Sequence, residues 1–286
     1  MVKIKEKDLA EIEEDAKELD SYAKFGVEFE GVYNRRQIEF SPDEIYSYHG
    51  QSSYDFGDTH KFKIESDGSI RYHGSKFDVT AEVISKPAKF SQIKDVMRGY
   101  SELIGAEDDD ISKSVEFNSS TGGHIHITYD REYNLAKDFD IFNKVSYTTY
   151  KLFTDFMTQD LAKYPSVKEQ WFRSYAKKIR NSRQFRRDRY NSFNFNSAYR
   201  TIEVRSCNFK DLTKLSEVED VITKVIHNMS KALITTYKLS ALKTARYVLP
   251  DYSKATHKKE TLRPKEISKL EWVKKLGSFN GERTYI

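Results

Sequence analysis

Apolar and polar residues alternate in three separate stretches of this chain, and each stretch carries two polar side chains two residues apart: Glu28-Phe29-Glu30, His124-Ile125-His126 and Glu203-Val204-Arg205. On a β-strand that spacing puts both side chains on one face. The flanks favour strands, with Lys24-Phe25-Gly26-Val27 before the first pair, Ile127-Thr128-Tyr129 after the second and Tyr199-Arg200-Thr201-Ile202 before the third. Strand patterns and turns run from Phe25 to Pro87 and include Ser66-Asp67-Gly68-Ser69, whose Asp-Gly pair signals a tight turn. Within this region Ala81-Glu82-Val83-Ile84-Ser85-Lys86-Pro87 reads as an apolar strand with a carboxylate near its start, ending at a proline.

Helical periodicity fills most of the remainder. Leu9, Ile12, Ala16, Leu19 and Ala23 predict a charged helix from about Asp8 to Ala23. A second helix begins after Ser91, carries Ile93, Val96, Met97, Tyr100 and Leu103 on its apolar face, and stops at Gly105. The acidic loop Glu107 to Asp110 follows. Beyond the His-X-His strand, helical pattern runs from Leu135 to Ala162 through Phe142, Val145, Leu152 and Phe156, until Pro165 breaks it. A basic segment, Arg173 to Arg189, leads into the Glu-X-Arg strand. Helical pattern resumes from Leu215 to Leu242, and a short helix near Pro264 to Leu276 closes a Lys-rich end. With no internal repeat and no low-complexity linker, the expectation is one α+β unit whose strands come from distant parts of the chain. It divides into an N-terminal helix (1–24), a main domain (25–245) and a basic C-terminal extension (246–286) packed on that domain.

Composition sets bounds on this picture. At 286 residues the chain suits one large domain or two small ones. Its 38% hydrophobic, 14% aromatic and 32% charged residues describe a soluble globular protein rather than a disordered one. No apolar run approaches a membrane span, and Met1-Val2-Lys3-Ile4-Lys5-Glu6 has a basic start without an apolar signal core, which argues against secretion. Cys207, the only cysteine, has no partner for an intrachain disulfide and fits a reducing compartment, so the expected location is cytoplasmic. A net charge of +4, from 48 basic and 44 acidic residues, is too mild by itself to imply nucleic acid.

Each polar pair alone has an ordinary reading. Glu28 and Glu30 suit the solvated face of a half-exposed strand, although two like charges side by side call for a cation or a proton between them. Glu203 and Arg205 suit a surface ion pair worth about 1 kcal/mol at most. His124 and His126 follow Thr121-Gly122-Gly123, where glycines let backbone approach closely, and two imidazoles on one strand face are a common metal arrangement. Glu82 is a candidate third acidic ligand. Asp67 and Ser69 are candidate substrate contacts, for which turn chemistry alone is also a sufficient account. Taken together, the three pairs point to one shared site lined by carboxylates, imidazoles and a guanidinium.

The order of these pieces resembles the amidoligases, part of the carboxylate-amine ligase superfamily with the glutamine synthetase-like fold. Five motifs carry the resemblance: Gly26-Val27-Glu28-Phe29-Glu30, Asp67-Gly68-Ser69, Glu82-Val83-Ile84-Ser85-Lys86-Pro87, Gly122-Gly123-His124-Ile125-His126 and Thr201-Ile202-Glu203-Val204-Arg205. They span roughly Phe25 to Asn208. The resemblance implies a curved, mainly antiparallel sheet that gathers these residues around Mg²⁺ or Mn²⁺ and ATP, whose γ-phosphoryl group passes to a substrate carboxylate before an amine attacks the acyl phosphate. It implies metal ligation by Glu28, Glu30, Glu82, His124 and Glu203, with His126 orienting a phosphate or supporting His124, and Arg205 neutralising the transferring phosphoryl group. Related ligases place phosphate-binding arginines between the second and third pairs, where Arg180, Arg183 and Arg187 share a helical face and Arg189 and Asn194 sit close before the last motif. Glutamine synthetases carry a further acidic ligand near the position of Glu82, for which Glu65 and Glu116 are the candidates here. Family members often carry Cys where this chain has Thr121.

The implied function is an ATP-dependent ligase forming an amide or isopeptide bond; a small amino acid, a peptide, a protein lysine or a cell-wall precursor all fit as substrates. Two alternatives stand beside it. One is an ATP-independent metal enzyme, a cupin-like oxygenase or a hydrolase, since His-X-His plus a distant carboxylate suits iron or zinc. That reading leaves Glu-X-Glu and Glu-X-Arg unused and finds Asp130 where a cupin glutamate is expected. The other is an inactive relative that binds nucleic acid through the basic segment, where Phe185, Tyr190 and Phe193 interleave with arginines.

Overall fold

A computed structural model describes residues 6–40, 62–71, 79–129, 145–169, 171, 176–180, 182, 184, 191–196 and 201–247. Among these, β1 (Ala23–Tyr33) is the central strand. Its odd-numbered residues Phe25, Val27 and Phe29 are fully buried, whereas its even-numbered residues bring Gly26, Glu28 and Glu30 to the other face. One neighbour is β3 (Val79–Ser85), which in turn pairs with β2 (Phe62–Glu65). On the other side lie β6 (Gly123–Tyr129), β8 (Thr201–Cys207) and β7 (Phe193–Asn196). Two short strands, β4 (Ala88–Lys89) and β5 (Val115–Glu116), also pair with β1. The path β2-β3-β1-β6-β8-β7 is antiparallel throughout and open at both ends among the described residues. The protein is therefore α+β with a mainly antiparallel, unclosed sheet.

Five helices are described: α1 (Glu6–Asp20), α2 (Ile93–Leu103), α3 (Tyr147–Asp160), the short α4 (Pro165–Glu169) and the 33-residue α5 (Leu215–Tyr247). α5 packs against α1, α2 and α3. Ile12 and Leu19 of α1, Met97 and Tyr100 of α2, Phe153 of α3 and Val221, Ile222 and Val225 of α5 join Phe25, Val27, Phe29, Ile125, Ile127, Ile202 and Val204 in one apolar cluster. The helices thus cover one face of the sheet, and the polar pairs lie on the other.

Several boundaries differ from the periodicity. Ala23 continues the helical spacing of α1 but starts β1, opposite Tyr129, because Ser21 and Tyr22 close the helix by bonding back to Glu18 and Leu19. Gly105 follows α2 with φ of +61°, and any Cβ there would strike the Gln37 carbonyl, which explains the stop. Ser146 caps α3 by accepting a bond from the Thr149 amide at 3.2 Å. Pro165 opens α4 at the position where its missing N–H costs nothing. The acidic loop caps α5, for Asp109 accepts from the Ser216 amide at 2.7 Å. The first part of the predicted helical stretch, 135–144, and the helix near Pro264 to Leu276 lie outside the described residues.

The Ser-X-Pro end of the Glu82 motif has a structural account. Between the β3 and β4 pairings of β1, the Val27 amide donates to Ser85 Oγ at 2.8 Å. This buried hydroxyl replaces the carbonyl that a continuous strand would offer, while Pro87 starts the short run into β4.

Candidate metal centre

Strand pairing turns the separate pairs into rows. Directly opposed residues share a face, so the registers Glu65↔Glu82 and Glu30↔Glu82 align three buried carboxylates across β2, β3 and β1. Glu28 stands opposite His124 in the next row, and His126, Glu203 and Asn194 form a third across β6, β8 and β7. A row of buried carboxylates is costly without compensating positive charge.

Two imidazoles supply part of that charge. The Glu28 carboxylate lies between them, 2.7 Å from His124 Nδ1 through Oε2 and 2.8 Å from His126 Nε2 through Oε1. His124 Nε2 is 3.4 Å from Glu30 Oε1, and its Nδ1 is 4.0 Å from Glu203 Oε1. Burial opposes charge on His124, but Glu30 and Glu28 outweigh it and raise its pKa to about 9. His126 is raised in the same way, against its burial, by Glu28 and Glu203. Burial also opposes charge on Glu28, yet the two histidines hold it well below the usual carboxylate range. The His124 ring therefore sits against Glu28 and Glu30, the two carboxylates that a cation bound at this site would balance.

Glu203 is held on both oxygens, by Arg205 Nη1 at 2.5 Å and by Asn194 Nδ2 at 3.1 Å. Thr201 Oγ1 lies 3.1 Å from His126 Nδ1 and so orients that ring. Two groups of three ligand atoms, each lying within 4.8 Å of one another, result: Glu28, Glu82 and His124, and Glu28, His126 and Glu203. Glu28 belongs to both. Oxygen-rich groups with one imidazole each fit a hard divalent cation such as Mg²⁺ or Mn²⁺.

The comparisons with known proteins find nothing. No family model, curated protein or solved structure matches this chain. What the site can do rests on its own residues.

The two glycines before His124 serve opposite faces of the sheet. A Cβ on Gly122 would lie 2.8 Å from Glu30 Oε2, on the polar face, whereas one on Gly123 would lie 2.4 Å from the ring of Phe209 in the core. The corresponding alanine variants should therefore separate function from stability. Gly122→Ala is expected to displace the Glu30 carboxylate and weaken Mn²⁺ binding at least about tenfold with little change in Tm. Gly123→Ala overpacks the core and should cost about 1–3 kcal/mol of stability by denaturant unfolding. Equal Mn²⁺ affinity in Gly122→Ala would show that the space left by this glycine is not needed to set the Glu30 carboxylate.

Of the residues expected at the site, Glu28, Glu30, Glu82, His124, His126, Glu203 and Arg205 come together on one face. Asn194 joins them as a partner of Glu203. Asp67 and Ser69 are engaged with each other instead: the Ser69 amide and hydroxyl donate to the Asp67 carboxylate at 2.7 and 2.9 Å. Their turn is tied to the loop before Gly122, where the Arg71 amide donates to Ser120 Oγ at 2.8 Å. Arg180 is exposed, its amide donating to Gln184 Oε1 and its carbonyl accepting from Tyr147 Oη. Arg183, Arg187 and Arg189 lie outside the described residues, as do Asp130, Phe185 and Tyr190. Phe193 is fully buried against Tyr150 and Phe153, so it offers no ring for stacking a base. Of the two further acidic candidates, Glu65 enters the row beside Glu82 and Glu116 is exposed.

Sequence reasoning assigned no role to Lys63 and Thr201. Lys63-Ile64-Glu65 repeats the two-residue spacing of the other pairs, and that alternation was the signal available. Thr201 stands inside a motif whose neighbours drew the assignment.

Proposed function

We propose that this protein is an ATP-dependent carboxylate-amine ligase of the glutamine synthetase-like type, forming an amide or isopeptide bond at a Mg²⁺- or Mn²⁺-dependent site. The observation that carries the reading is the pair of ligand groups sharing Glu28 on one face of an antiparallel sheet. The five-motif order supports it, because the residues on that face are those the amidoligase resemblance assigns to metal and phosphate. Divalent cations bound there would neutralise the phosphate and carboxylate oxygens that must approach each other. Glu28, Glu30, Glu82, His124 and Glu203 hold the cations. Arg205, at 21% side-chain exposure beside Glu203, stabilises charge on the phosphoryl group as it leaves ADP for the substrate carboxylate. His126, kept in place by Glu28 and Thr201, is the imidazole of the second ligand group, with Glu28 and Glu203. Amine attack on the acyl phosphate then forms the C–N bond, releases phosphate and gives up one amine proton.

ATP binding by calorimetry, with and without Mg²⁺, tests this without knowledge of the acid or the amine. Magnesium-dependent binding is expected in the wild type and should weaken at least about tenfold in Glu30→Gln. Absence of nucleotide binding in the wild type would sink the ligase reading. Bound zinc or iron in that case would favour an ATP-independent metal enzyme, a cupin-like oxygenase or a hydrolase.

A further inference from the structure

We propose that Lys63 is an anion-holding residue of this centre, gripping a phosphate or carboxylate oxygen of the bound substrate from the β2 side. This inference rests on the metal-dependent reading given above. On β2, Lys63 and Glu65 share the polar face, and Lys63 stands opposite Ile84, which in turn stands opposite Glu28. Lys63 therefore stands in the cross-strand row of Glu28 and His124, and its ammonium reaches Glu65 in the adjacent row of Glu82 and Glu30. Its side chain is only 12% exposed and is ion-paired with Glu65, which is 3% exposed. Arg205 occupies the other flank, on β8. Five carboxylates, from Glu28, Glu30, Glu65, Glu82 and Glu203, are thus bracketed by two basic side chains on strands at opposite sides of the site.

Charge then decides what the face accepts. With neutral imidazoles, five carboxylates against Lys63 and Arg205 leave three negative charges. One divalent cation at each of the two ligand groups reverses the sign and leaves a single positive charge. A loaded centre of that sign recruits an anion rather than repelling one. Arg205 reaches it from one side with a planar fork already set on Glu203. Lysine differs in being a compact charge with three donors on a flexible stem, so Lys63 can keep Glu65 and still donate to a ligand oxygen. A purely structural Lys63 would do no more than neutralise Glu65.

The test uses the full chain with Lys63→Met, which keeps most of the apolar stem and removes the charge, and Lys63→Arg, which retains it. Mn²⁺ binding is measured first, by electron paramagnetic resonance without any anion; then tripolyphosphate and acetate are titrated separately into Mn²⁺-saturated protein. The proposal expects Lys63→Met to bind Mn²⁺ as well as the wild type or better, yet to bind one of the two anions at least tenfold more weakly, with partial recovery in Lys63→Arg. Loss confined to tripolyphosphate identifies a phosphate oxygen, and loss confined to acetate a carboxylate. Unchanged affinity for both anions overturns the proposal, as does loss of Mn²⁺ binding in folded Lys63→Met, which would make the residue a support for Glu65. A wild type that binds no Mn²⁺ overturns the metal-dependent reading itself. Lys63→Gln, read by the same titrations, replaces the methionine variant if that variant does not fold.

Discussion

Glu28→Gln is expected to reduce divalent-cation affinity by about a hundredfold or more and to abolish ATP turnover, while the protein still folds. Glu28 contributes an oxygen to both ligand groups, so its loss is felt at each. A hundredfold loss corresponds to about 2.7 kcal/mol of binding free energy, a reasonable cost for replacing a charged oxygen ligand by a neutral amide. The substitution preserves the size of the side chain and the strand backbone, and β1 is anchored by pairing with β3 and β6 and by Phe25, Val27 and Phe29 in the core. It also removes the carboxylate that lies between His124 and His126, which leaves two imidazoles adjacent with less reason to be charged. Mn²⁺ titration followed by electron paramagnetic resonance, together with circular dichroism, reads both effects. Wild-type affinity in folded Glu28→Gln would remove the residue from the centre and with it the two-group arrangement.

The second large effect is a dependence of stability on pH that a metal removes. In the ion-free protein the folded-state pKa of His124 is raised from 6.5 to about 9, against the opposing effect of its burial, by Glu30 and Glu28; His126 is shifted in the same direction. A group whose pKa is raised on folding contributes stability that is fully present below its unfolded pKa and is lost as pH climbs through the folded value. Thermal stability in EDTA should therefore fall between pH 6.5 and about 9, by an amount on the order of 2 kcal/mol. Glu28 shows the opposite sign. Held well below its ordinary value, it contributes stability that is lost only as the solution becomes strongly acidic. Saturating Mg²⁺ should flatten the alkaline slope, since a ligating imidazole is neutral and the cation takes over the charge balance. Melting curves at intervals from pH 6 to 9.5, with EDTA and with Mg²⁺, decide the matter. A flat profile in EDTA would mean that the histidines are not charged in the folded state.

Much of the site was visible before any tertiary information, because strand parity is a local property. Alternation alone places Glu28 with Glu30, His124 with His126 and Glu203 with Arg205, and no knowledge of pairing partners is needed. The apolar stripes of α1, α2 and α5 were legible for a similar reason, since helical periodicity depends on residues within a few turns. Ala23 marks the limit of that reasoning: it satisfies the helical period but is claimed by β1, where Tyr129 stands opposite.

What the sequence by itself determined, then, is which side chains share a face of their own strand. Which strands lie next to one another, and in what register, only the tertiary structure decided. That register sets Glu82 between Glu30 and Glu65, brings Lys63 into the row of Glu28, and attaches Asn194 to Glu203 and Thr201 to His126. It also separates the tasks of Gly122 and Gly123 and buries Phe193 among aromatic residues that lie more than 35 positions away, Tyr150 and Phe153. The physical reason is that parity follows from the geometry of a single extended chain, whereas register emerges when core packing and backbone hydrogen bonds select one alignment of segments far apart in sequence.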